Sequence, residues 1–141
     1  MSWQNRYLLP WAGLRHDQIA AAADHVMQSG RGLELTRYEL HANGPNKVDV
    51  FFYFRAALER RWTMYRPDVE RNFRDYNIAD DDEAFVHIEF DHAEADEKLG
   101  LPAETSFEFY SNISGNRIFS GVGIEVAERI GRFFGVPCEP M

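Results

Sequence analysis

The chain has 141 residues, 45% of them apolar and 14% aromatic, with a formal net charge of −8. That composition excludes disorder over most of the length and fits one domain with one core, residues 1–141. A single cysteine, Cys138, excludes an internal disulfide and a thiolate zinc cage built within one chain. Residues 1–10 hold no long apolar run to serve as a signal peptide, and nothing later approaches the about 18 apolar residues of a membrane helix. The expectation is a cytoplasmic protein with no membrane partner.

In chain order, the spacing of Ile19, Ala23 and Val26 predicts a helix over about 16–29, with Asp17 in its first turn and Gly30 at its end. Two strands are expected at 33–42 and 47–54, joined through Asn43-Gly44-Pro45-Asn46. Asn-Gly is a hairpin signal, and Pro45 lengthens the loop beyond two residues. Val48, Val50, Phe52 and Phe54 alternate toward one face. Between Leu33/Leu35 and Tyr38/Leu40 the apolar phase changes, as a bulge produces. From 55 to 77, Leu58, Trp62 and Tyr65, then Val69, Phe73 and Tyr76, keep helical spacing around Pro67. One kinked helix or two short ones fit, with a strand at 61–66 as the rival. Val86, Ile88 and Phe90 mark a third strand, and Phe107 and Phe109 a fourth, separated by 92–102. A final amphipathic helix near 121–134, capped by Ser120, turns Val122, Val126, Ile130 and Phe133 inward and ends at Gly135 and Pro137. The expected fold is α+β: a mainly antiparallel sheet of about four strands with helices on one face.

Charge is unevenly placed. Residues 1–70 carry nine Lys/Arg against eight Asp/Glu, whereas residues 71–141 carry six against fifteen. Between Asp80 and Glu97 stand nine carboxylates and no Lys or Arg. Such a field repels phosphate backbones, which excludes direct nucleic-acid binding by this face, and attracts a basic protein or a divalent cation. The arginines of 55–74, interleaved with aromatic residues, are diluted by Glu59, Asp68, Glu70 and Asp75 and are expected to pair with the acidic run.

Three groups of residues invite a chemical reading. His87, Glu89 and Asp91 share one side of a strand, and His92 and Asp96 are expected to be neighbours at i,i+4 on a following helical turn; imidazoles with carboxylates suit zinc, manganese or iron. A solvated acidic face explains the same residues, and no His-Glu-x-x-His motif is present. His87-x-Glu89 with Pro137-Cys138 lacks the second cysteine that a zinc deaminase site requires. Ser120-Gly-Val-Gly, at the mouth of the last helix, is better read as a cap than as an anion site, and Cys138 as a surface thiol. No catalytic set, metal site or cofactor is therefore expected. Phe51 and Tyr53, on the strand face opposite Phe52, leave that strand apolar on both sides, as either a second layer of core or an interface centre requires.

In size, charge and aromatic content the chain resembles bacterial immunity proteins and similar inhibitors, a resemblance of type that covers no motif. It implies a non-enzymatic domain that docks an acidic, aromatic surface on a basic partner such as a nuclease toxin, with fast, steered association. The partner-binding residues are expected to be Asp80, Asp81, Asp82, Glu83, Glu89, Asp91, Glu94 and Tyr53. The alternatives are a small metal-dependent enzyme or metal-binding protein using His87, Glu89, Asp91 and His92, and a pocket for an apolar ligand between sheet and final helix.

Overall fold

A computed structural model describes residues 5–63, 66–111 and 121–140. Its elements run β1 (Asn5–Leu9), α1 (His16–Gln28), β2 (Leu35–Ala42), β3 (Lys47–Arg55), a 3-10 turn (Ala56–Leu58), α2 (Glu59–Trp62), α3 (Arg66–Asp75), β4 (Glu83–Ala93), β5 (Glu104–Ser111), α4 (Gly121–Phe134) and β6 (Cys138–Pro140). The six strands form one antiparallel sheet in the order β2-β3-β4-β5-β1-β6. The class is α+β, with helices packed on one face.

Alternation builds the core. Val48, Val50, Phe52 and Phe54 of β3 face the same side as Ala84, Val86, Ile88 and Phe90 of β4 and Phe107 and Phe109 of β5, and all are buried. Over them α4 lays Val122, Val126, Ala127 and Ile130. Its approach is close: a Cβ on Gly123 would stand 2.6 Å from the Phe109 ring, so glycine is required there. Helix α1 adds Ile19, Ala22, Ala23 and Val26 and is tied to α4 by Arg129, which donates to the carbonyls of Ser29 and Arg31 at 2.9 and 3.0 Å.

The region after β3 forms two short helices, and α2 holds Arg61 and Trp62, where a strand was the rival expectation. The bulge falls where the apolar phase changes, with a register shift between Leu35 and Arg37. The turn 43–46 carries Gly44 at φ 88°, a conformation that a side chain would strain.

Four expectations need correction. The sheet has six strands rather than about four, because β1 and β6 add to one edge; β6 is three residues long and contains Pro140, which only an edge strand tolerates. Phe133 does not face the core: it is 38% exposed, beside His25. Phe134 points inward instead, against Trp11, Phe90 and Phe107, since four residues from Ile130 holds the stripe better than three. Tyr76 is exposed rather than stacked below Phe73. His92 is not on a helical turn, because β4 runs on through Ala93 and sends it to the core side. Ser120 and Tyr65 lie outside the described residues.

The N-terminus of α4 is nonetheless accounted for. Glu59 of α2 is fully buried, and its Oε1 accepts the N–H of Gly121 at 2.6 Å and of Val122 at 3.3 Å. The acceptor that a helix start needs for its free N–H groups is thus supplied from within the chain. A Cβ on Gly121 would meet the Trp62 carbonyl oxygen at 2.3 Å, so this junction also demands glycine. Among the described residues no helix is long and apolar enough to cross a membrane.

Candidate functional site

The second parity of each strand makes the opposite face of the sheet, and register decides who meets there. Across one row Glu39 stands opposite Phe51, Phe51 opposite His87 and His87 opposite Tyr110. The Phe51 and His87 rings stack at 4.6 Å, Phe85 sits edge-on to Phe51 at 5.6 Å, and Tyr53 lies 5.9 Å from Phe85. The Arg37 guanidinium caps the end of this aromatic band, 3.7 Å from the Tyr53 ring centroid. All of these rings are half-buried.

The next two rows are acidic. Asp49 stands opposite Glu89 and Glu89 opposite Glu108; Asp91 follows beside Lys47. Among the described residues Lys47 is the only Lys or Arg that pairs with these four carboxylates, at 2.7 Å from Glu89. His87 Nε2 meets Asp49 Oδ1 at 2.6 Å, and the Asn43 amide donates to the other Asp49 oxygen. The Tyr110 hydroxyl donates to Glu108 and lies 3.4 Å from Glu89.

Crowding of like charges shows in the protonation. Burial pushes Asp91 up to about 6, helped by its hydrogen bond to Glu89 and by the Glu89 charge. Burial works on Glu89 in the same direction, but the hydrogen bonds from Lys47 and from Asp91 outweigh it and hold Glu89 below its ordinary value. Below about pH 6 the two therefore share one proton, held on Asp91 against Glu89. Burial, then the hydrogen bond to Glu108, raises the Tyr110 phenol well above its usual range, so it stays a donor.

The residues expected from sequence do not form one patch. Tyr53, Glu83, Glu89 and Asp91 belong to this face, and Glu83 pairs with Arg37 at 3.2 Å. Asp80, Asp81 and Asp82 lie on the exposed turn between α3 and β4: Asp80 pairs with Arg60, while an Asp82 oxygen accepts the Ala79 N–H at 2.9 Å. Glu94 is exposed beyond the far end of β4. His92 is 8% exposed on the core side, hydrogen-bonded to the Thr105 hydroxyl at 2.7 Å, so it does not join His87. Asp49, Glu108, Tyr110 and Lys47 are members that sequence reasoning missed. Period two marks each as outward-facing, but only strand register reveals that they converge. Where a ligand pocket was the alternative, the layer between sheet and α4 holds buried Val122, Val126 and Ile130 against the sheet.

Compared with protein-family models, curated proteins and solved structures, the chain matches none.

Proposed function

We propose that this chain is a non-enzymatic binding protein that seats a basic protein partner on the face of its sheet opposite the core. Its mode is that of a bacterial immunity or inhibitor protein neutralising a basic toxin, such as a nuclease, in the cytoplasm. The observation that carries this reading is the juxtaposition on one face of a half-buried aromatic band, Phe51, Tyr53, Phe85 and Tyr110, with the carboxylates of Asp49, Glu89, Asp91 and Glu108. Aromatic anchors supply contact area at small entropic cost, and surplus negative charge selects and steers a cationic surface. The carboxylates on the exposed α3–β4 turn enlarge the attracting field without belonging to the contact.

The test is capture from the source cells, followed by binding kinetics of the captured protein against two variant sets. Face variants Tyr53→Ala and Phe85→Ala are expected to weaken the complex by about tenfold or more each, as central anchors do. The turn variant Asp80→Asn/Asp81→Asn/Asp82→Asn is expected to act on association alone. A captured protein with no basic surface, or one whose affinity ignores both face variants, would falsify the reading.

A further inference from the structure

Register brings three donors of two chemical kinds to one point on this face. Asp49 Oδ1, His87 Nε2 and a carboxylate oxygen of Glu89 lie within 4.8 Å of one another. We propose that these three side chains bind one divalent first-row transition ion, of the zinc or manganese class. The ion would use two carboxylates of the docking face, Asp49 and Glu89, but its binding needs no protein partner.

Two observations separate this group from a solvated acidic patch. The first is the imidazole, which with carboxylates suits zinc, manganese and iron and is a poor choice for magnesium or calcium. The second is an oxygen without a donor. Glu108, directly across from Glu89, accepts the Tyr110 hydroxyl on one oxygen, while its Oε2 is buried and has no hydrogen-bond partner among the described residues. Burying such an oxygen beside Glu89 and Asp91 is unfavourable, and a divalent ion at Glu89 would offset it more than the single charge of Lys47 does.

The donors are also held in place. Asp49, His87 and Glu89 stand on the adjacent strands β3 and β4, Asp49 is 6% exposed, and His87 is stacked on Phe51. The Asn43 amide fixes the second Asp49 oxygen, as outer hydrogen bonds do around metal ligands. His87 and Asp49 meet at 2.6 Å. Ligands about 2.1 Å from one ion sit roughly 3 Å or more apart, so the pair opens by about half an ångström to admit it. The ion takes over the role of the Lys47 ammonium at Glu89, which makes Lys47 its competitor.

Chelator-treated protein is titrated with Zn²⁺ by calorimetry and with Co²⁺ by visible absorption. One saturable equivalent is expected, with Co²⁺ bands that report a nitrogen-and-oxygen environment. His87→Gln and Asp49→Asn should each weaken Zn²⁺ by about tenfold or more. Lys47→Met should tighten it, and Asp80→Asn/Asp81→Asn/Asp82→Asn should leave it unchanged. Circular dichroism establishes that each variant is folded; if Asp49→Asn is not, His87→Gln and the wild-type Co²⁺ spectrum decide. Absence of saturable binding, affinity indifferent to both His87 and Lys47, or loss only with the Asp80–Asp82 set overturns the proposal.

Discussion

Glu59 shows how one buried carboxylate can be both the fastener of two helices and a source of pH sensitivity. Burial raises it to about 8, although the Val122 and Gly121 N–H groups pull the other way. The unfolded chain binds this proton only below the ordinary carboxylate value, so between there and about pH 8 the folded state holds a proton that the unfolded state lacks. Glu59 thus contributes stability that is fully present below the unfolded pKa and is lost as pH rises through about 8. At about 1.4 kcal/mol per pKa unit the effect is on the order of 3–5 kcal/mol. Glu59→Gln keeps an acceptor for Gly121 but cannot ionise, so melting temperature followed from about pH 5 to pH 8 should fall less steeply than in the parent. Glu59→Ala should instead lower it throughout, since two buried N–H groups lose their acceptor.

At the scale of elements, α4 carries much of the fold's stability. Ile130 is 1% exposed against the sheet and Phe133 is 38% exposed. Ile130→Ala should cost about 2–5 kcal/mol by denaturant unfolding, and Phe133→Ala no more than about 1 kcal/mol, the range of a surface change. Equal costs would mean that α4 is rotated from the position described. Helices α1 and α4 and strands β2 to β5 were legible because their apolar residues repeat at 3.6 or 2 and end at Gly30, Asn43-Gly44 or Gly135. Strand β1 was not, because Tyr7-Leu8-Leu9 is too short and too uniformly apolar to show alternation, and β6 is three residues ending at a proline. For the candidate site, outward parity put Glu89, Asp91 and Tyr53 within reach of sequence reasoning. Their meeting with Asp49 and Glu108 depends on pairings between distant strands, which local periodicity does not encode. His92 was misplaced because the strand continues past the point where Asp91-His92 looks like an end.

For the whole molecule, the uneven charge becomes a directional field. Neutralising Asp80, Asp81 and Asp82 with Asn removes exposed charges, of which Asp80 is paired with Arg60 and Asp82 accepts the Ala79 N–H. The triple variant should melt close to the parent, while association with a basic partner slows and its rate depends less on ionic strength. Stopped-flow binding at two salt concentrations measures this, and rates equal to the parent's at both would place the steering charge elsewhere. The position of β1 has a different consequence. Tyr7 is opposite Phe107 and Arg6 opposite Glu108, so β1 finds its neighbour only after β5, about a hundred residues further along, is synthesised. Until then the β2–β3 hairpin and the β3–β4 pairing can form, but Arg6–Leu9 has no strand neighbour at β5. Pairing of β1 with β5 is therefore a long-range closure, of the kind that slows folding, and until it happens the β5 edge is open to wrong partners.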